Sequence, residues 1–357
     1  MSRADRFLRA CRREPVDTTP IWIMRQAGRY LPEYRETRAR AGSFLALCKT
    51  PALAAEVTVQ PVRRLGVDAA ILFSDILVPC EAMGLGLEYP EGGPRLDPPV
   101  RDRRAIEALR PVDAVRDCGF VMDAVRAARA LLDGEVPLIG FAGAPFTLAC
   151  YMVEGETSRE YLELKKLMFT APADAHALLA RIADATVSYL AAQVDAGAQA
   201  VQLFDTWAET LSPRDFDEFA LAYATRVIRD LRARLGARAA GVPVIYFARG
   251  AAGVLERLPS CGADVLGVDW RVEIGAARRR LGAGVAVQGN LDPAALFLPP
   301  GEIDRRAGEI LDGAGPAPGH VFNLGHGILP PTDPEHAKRL VETVHRLGAG
   351  RTAGAPA

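Results

Sequence analysis

Short apolar, β-branched runs recur along the chain, at 21–24, 69–73, 137–142, 200–205, 242–247, 264–268, 285–289 and 320–324. Most segments between them carry apolar positions at helical spacing: 52–65, 113–132, 174–196, 215–235 and 303–312. Strands that alternate with helices argue for parallel βαβ units. Eight such runs predict an α/β fold, a single (β/α)8 TIM-type barrel, over residues 1–347. Thr332-Asp333-Pro334-Glu335 fits a capping box that opens a last helix running to Leu347. The Pro/Gly-rich stretches 89–99 and 313–319 read as long loops, and the polar, arginine-rich stretch 34–50 as a flexible flap. The small, polar tail from Gly348 to Ala357 is predicted to be disordered.

The residues at the ends of these runs matter more than the count. Arg25, Asp75, Gly143-Ala144-Pro145, Asp205-Thr206, Arg249, Asp269, Asn290 and His326 stand at or just past predicted strand ends. A barrel converges those ends on one mouth, where its active site lies. A doubly wound open sheet would also place functional groups there. No GxGxxG succeeds a strand, however. Gly282 and Gly284 precede one, the wrong order for cradling a phosphate.

Composition narrows the chemistry. A net charge of −1 gives no overall basic bias toward nucleic acid or anionic membrane. Nor is there an uninterrupted 18-residue apolar run, so no membrane span is expected. The six cysteines, Cys11, Cys48, Cys80, Cys118, Cys150 and Cys261, make no CxxC, and none has a histidine at metal-ligand spacing. They read as reduced, buried thiols. With no signal-peptide stretch after Met1, the expected location is cytoplasmic.

The sharpest local feature is Arg25-Gln26-Ala27-Gly28-Arg29-Tyr30, directly after the first apolar run. A glycine-containing loop at the end of a strand can aim two guanidinium groups at one ligand. Such groups hold carboxylate or phosphate bidentately.

The wider segment from Pro20 to Arg35 resembles the N-terminal signature of the uroporphyrinogen decarboxylase family. The resemblance continues at Phe73-Ser74-Asp75-Ile76-Leu77, Gly143-Ala144-Pro145-Phe146-Thr147, Tyr151-Met152-Val153-Glu154-Gly155, Phe204-Asp205-Thr206-Trp207 and Phe322-Asn323-Leu324-Gly325-His326-Gly327. These segments span nearly the whole chain. The resemblance implies removal of carbon dioxide from the four acetates of uroporphyrinogen III, giving coproporphyrinogen III, with no cofactor and no metal. It makes Asp75 the central catalytic residue, with Arg25 and Tyr151 beside it. It places Arg25, Gln26, Ala27, Gly28, Arg29, Arg38, Asp75, Tyr151, Thr206 and His326 around the substrate. It also implies a homodimer with adjacent mouths.

The residue types suit that reaction. Carbon dioxide cannot leave an acetate unless its bonding electrons have a destination. Protonating the neighbouring pyrrole makes a cationic, iminium-like sink, which an ionised carboxylate at Asp75 would stabilise. Local sequence also allows Asp75 to cap a helix. Thr206 reads equally as a helix N-cap, and Tyr151 as a core aromatic. The proton donor stays open among Arg25, Tyr151, His326 and a bound water. A guanidinium is a poor acid, and the flanking glycines of His326 allow close backbone approach to a ligand.

Three rivals remain. A related barrel methyltransferase using zinc and a thiol or corrinoid would need a His/Cys set at the strand ends. A Schiff-base aldolase would need a lysine there, and Lys49, Lys165, Lys166 and Lys338 all fall elsewhere. A protein that binds tetrapyrroles without turnover would not need every catalytic position filled.

Overall fold

The interior apolar runs fold as strands buried on both faces, as parallel strands in a barrel must be. The structure, a computed structural model, describes residues 1–351. In chain order the strands are β1 (Ala70–Ile71), β2 (Gly86–Glu88), β3 (Arg95–Asp97), β4 (Leu138–Gly143), β5 (Ala200–Asp205), β6 (Val244–Ala248), β7 (Val265–Gly267), β8 (Ala286–Gln288) and β9 (His320–Val321). Seven pair in the order β1-β4-β5-β6-β7-β8-β9, and each pair is parallel. β2 and β3 form a separate antiparallel hairpin.

The first predicted strand is not one. Run 21–24 makes a single parallel bridge, from Ile21 to Phe322. It still closes the sheet. Asp68 N–H donates to the Ile21 carbonyl (2.8 Å) on one side, and Phe322 N–H to the Pro20 carbonyl (2.8 Å) on the other. The ladder stops there because side chains take the amides. Asp68 Oδ2 accepts from Ile21 N–H (2.9 Å), Gln26 Oε1 from Ile23 N–H (3.0 Å) and Asn323 Oδ1 from Met24 N–H (3.0 Å). Every buried amide needs an acceptor, and here two carboxamides, one local and one distant in sequence, and one carboxylate supply it.

Side chains, not a channel, fill the barrel. Trp22, Tyr246, Phe247 and Phe322 are among its largest fully buried residues. A polar chain crosses it: Trp22 Nε1–H donates to Gln288 Oε1 (2.9 Å), and Gln288 Nε2–H to Gln202 Oε1 (3.2 Å).

The helices keep to the predicted periods, with informative departures. The stretch 113–132 divides at Cys118, beside Gly119, into Ala114–Asp117 and Gly119–Leu132. The helix at 215–235 opens with a π-helical turn, Phe216–Leu221. The expected flap at 34–50 consists instead of two helices, Pro32–Ala41 and Phe44–Lys49, anchored by buried Tyr34, Thr37, Leu47 and Cys48. The expected loop at 89–99 contains β3, paired back on β2 through Leu87 and Leu96. The last helix is Pro334–Gly348, and its cap is Asp333, whose carboxylate accepts from Glu335 N–H, not Thr332. Of the expected disordered tail, residues 352–357 lie outside the described residues. Just before them, Gly350 N–H donates to the Asp17 carbonyl (2.9 Å). Among the described residues, no helix is long and apolar enough to cross a membrane.

Candidate active site

Strand β1 ends at Ile71, and residues 72–75 carry the chain to the mouth. Phe73 N–H is fixed by Thr58 Oγ1 at 2.9 Å. Asp75 then turns back, and its Oδ1 accepts from Leu77 N–H at 2.7 Å. Its Oδ2 accepts from the Tyr89 hydroxyl in a short hydrogen bond. Among the described residues no cation pairs with this carboxylate within salt-bridge distance. Burial pushes its pKa above the usual aspartate range, and the Tyr89 hydroxyl, the Leu77 amide and the Arg25 charge pull it partway back.

Tyr89 was not legible as a site residue. It lies just past β2, and its ring packs on Phe44 at 4.7 Å, itself 5.8 Å from Phe73. The one available signal is the alternation Gly86-Leu87-Glu88-Tyr89, which marks a short strand rather than a loop.

Arg25 sits in a tight turn closed by Gln26 N–H donating to the Ile23 carbonyl (2.9 Å). Its φ of +61° lies in the left-handed region that glycine usually fills at this turn position. Such a residue persists only when its surroundings hold it there. Gln26 does much of the holding. Its side chain is fully buried, and besides binding Ile23 N–H it donates from Nε2 to the Ala69 carbonyl (3.1 Å). The side chain of Gln26 is therefore in the barrel wall, not among groups that reach the mouth, because its amide serves buried backbone. Arg25 itself is exposed, and its side chain lies across Gly327. A Cβ at 327 would stand 2.4 Å from Arg25 Cδ.

Ala27 and Gly28 are half-buried, and Arg29 is exposed. Arg38 lies half-buried on helix Pro32–Ala41, where its charge acts on Tyr34 and Cys48. Among the described residues, the side chains of Arg25, Arg29 and Arg38 have no hydrogen bond or ion pair.

Tyr151 is on helix Pro145–Glu154, with its ring edge-on to Trp207 at 6.1 Å. Burial raises its phenol pKa, and its hydroxyl feels both Asp75 and Arg25. His326 is half-buried, and burial together with the charges of Arg25, Arg249 and Arg271 pushes its imidazole down to about 3. It is thus neutral near pH 7. Arg25, Asp75, Tyr151 and His326 come from four separate parts of the chain, and the Arg25 charge acts on each of the other three.

Thr206 is half-buried and caps nothing; the short helix Ala208–Thr210 is preceded by Trp207. Beneath it, Asp205 is fully buried and accepts from Thr147 Oγ1–H (2.7 Å) and the Tyr246 hydroxyl (2.9 Å). Burial raises its pKa to about 6. Asp269 and Asn290 are structural: Asp269 accepts from Gly250 N–H (2.7 Å), and Asn290 Nδ2–H donates to the Asp269 carbonyl (2.8 Å). Among the described residues no three His, Cys, Asp or Glu side chains gather to hold a metal ion.

The family model for uroporphyrinogen decarboxylase matches residues 2–347. The chain belongs to the uroporphyrinogen decarboxylase family. A uroporphyrinogen decarboxylase of Myxococcus xanthus is 55% identical over 350 residues, covering 98% of each chain. One from Hahella chejuensis is 54% identical over 346 residues, covering 97% of each. Among solved structures, a methyltransferase from Methanosarcina mazei superposes with a TM-score of 0.82 at 22% identity, over 97% of this chain and 99% of that one. At that identity the likeness concerns the fold, and it places the family on the same barrel.

Proposed function

We infer that this chain decarboxylates the four acetate side chains of uroporphyrinogen III, giving coproporphyrinogen III in tetrapyrrole biosynthesis. Family membership supports the reaction. One observation supports the role of Asp75: neutral donors brace this half-buried carboxylate, with no ion pair to neutralise it. Its negative charge stays available to a ligand. A carboxylate has about four acceptor positions, so capacity remains for pyrrole N–H groups.

Arg25, Arg29 and Arg38 hold carboxylates on the macrocycle and fix its orientation. A proton adds to the pyrrole carbon beside an acetate, and the ring becomes a cation. The Asp75 charge stabilises that cation, which exists mainly along the reaction path. The bond to the carboxylate breaks, its electrons neutralise the ring, and carbon dioxide leaves. A second proton converts the remaining methylene to methyl, and the ring proton is released. Net, each acetate takes up one proton and loses one carbon dioxide. A neutral His326 can donate or accept a hydrogen bond but is not a ready acid at neutral pH. Tyr151, close to both Asp75 and Arg25, can relay a proton without ionising permanently. Thr206 offers a free hydroxyl to substrate. Ala27 and Gly28 present the loop backbone, and Gln26 serves the site through the Arg25 turn.

Residues 1–347 act as one barrel domain in this reading. It extends to a cytoplasmic homodimer with adjacent mouths, supported by the family resemblance, and to no nucleic-acid or membrane partner, supported by the near-zero net charge. Among the described residues the methyltransferase alternative finds no gathered ligand set. The test is anaerobic incubation of chelator-treated, dialysed protein with uroporphyrinogen III, then chromatography of the products. Four-carboxylate product should accumulate. Unchanged eight-carboxylate substrate, or turnover restored only by added metal, would overturn the reading.

A further inference from the structure

Arg25, Arg29 and Arg38 all come from one arc of the mouth. Arg25 and Arg29 succeed the 20–22 segment, and Arg38 lies on the next helix. Counting that segment as the first wall element, β6 is the fifth of eight, half a turn away. Arg249 stands directly after β6.

Its surroundings are unusual. The Arg249 side chain is only 24% exposed, and its one ion pair, from Nη1 to Glu209 Oε1, is long at 3.3 Å. Its Nε is buried, with no hydrogen-bond partner among the described residues. Glu209 is shared, because its Oε2 also binds Arg271 Nη1 at 2.9 Å. Arg271 has a further partner in Asp269 Oδ2 at 3.0 Å. Arg271 is thus well satisfied, whereas Arg249 has a loose contact and an orphaned N–H. A buried donor without an acceptor is unfavourable, so a carboxylate arriving there gains more than a surface ion pair would. Arg249 also faces the site. Phe247, two residues earlier, has its ring 6.3 Å from that of His326.

The inferred substrate carries an acetate and a propionate on every pyrrole, so its rim is anionic all round. Anchoring it from one arc alone leaves the far carboxylates unpaired. We propose that Arg249 is a second carboxylate anchor, binding a rim carboxylate of the tetrapyrrole on the wall opposite Arg25, with Glu209 as a competing internal counter-ion. This rests on the reaction assigned above. An acetate and a propionate offer the same chemistry, and the assay separates them.

The experiment measures anaerobic kinetics on uroporphyrinogen III, coproporphyrinogen III binding and thermal melting for Arg249→Met, Arg249→Lys and Glu209→Gln. Losing one charged hydrogen bond should raise KM about tenfold or more in Arg249→Met, with a smaller change in kcat. Arg249→Lys should recover part of the loss. Glu209→Gln removes the competitor and should leave KM unchanged or lower it. If the bound group is a propionate, Arg249→Met weakens coproporphyrinogen binding by a similar factor; if it is an acetate, product binding is unaffected. Either supports the anchor. A parental KM in Arg249→Met would overturn it. So would a KM in Glu209→Gln raised as far as in Arg249→Met, since that marks a purely structural pair. Should Arg249→Met fail to fold, Arg249→Lys carries the test: a KM raised several-fold supports the anchor, and a parental KM overturns it. An inactive parent chain would overturn the assigned reaction, whereas an active parent with these failures overturns the anchor alone.

Discussion

Tyr89→Phe isolates one of the two donors that tune Asp75. The ring stays, and with it the 4.7 Å packing on Phe44. Only the hydroxyl bound to Asp75 Oδ2 is lost. That bond stabilises the ionised carboxylate, and its loss raises the Asp75 pKa further in the direction that burial already drives it. A hydrogen bond to a charged group contributes about 1.5–3 kcal/mol. The reaction as written needs Asp75 ionised, so activity falls as pH drops through its pKa. The acid limb of kcat/KM on uroporphyrinogen should therefore move to higher pH in Tyr89→Phe. The plateau above it should be largely kept, because the charge is still there. An acid limb unmoved, or moved to lower pH, would refute the assignment of Asp75 as the ionised group that the limb reports.

Two further perturbations address the arginine loop. Arg25→Ala and Arg29→Ala should each lower kcat/KM about tenfold to a hundredfold, from one lost charged hydrogen bond, with melting temperature nearly unchanged; parental kinetics in both would make them ordinary surface arginines. Gly327→Ala places a Cβ 2.4 Å from Arg25 Cδ, so it should displace that side chain and reproduce much of the Arg25→Ala defect; full activity would show that the Arg25 position is not needed.

The parts of the fold that were legible in the sequence share one property: their backbone bonds and apolar pattern agree. β4 and β6 are uninterrupted buried runs, β5 is buried apart from half-buried Phe204, and each pairs as its pattern requires. The 20–24 segment has the same composition, yet Asp68, Gln26 and Asn323 capture its amides. Gln26 is local, but no local pattern reveals Asp68 and Asn323, which come from distant parts of the chain. In the 34–50 stretch the arginines obscure the apolar positions of two short helices, so the local pattern resembles a loop. Asp75 reads as either a cap or a site residue, and it does not cap the helix Val78–Ala82, which starts from Leu77 with no side-chain cap: one Asp75 oxygen closes a turn on the Leu77 amide while the other faces Tyr89. Tyr89 and Glu209 escaped because their relevance depends on Asp75 and Arg249, contacts that only the folded barrel creates.

In the proposed reaction, negative charge at Asp75 stabilises a cation on the protonated pyrrole. Asp75→Asn keeps the size and an acceptor for the Leu77 amide but removes that charge. Asp75→Glu keeps the charge and displaces it by one methylene. The measurement is anaerobic single-turnover decarboxylation of uroporphyrinogen III alongside coproporphyrinogen III binding. Asp75→Asn should bind product but turn over on the order of 10²–10³ more slowly, as expected for one preorganised electrostatic group, with Asp75→Glu retaining more activity. An Asp75→Asn chain that turns over near the parental rate would contradict it.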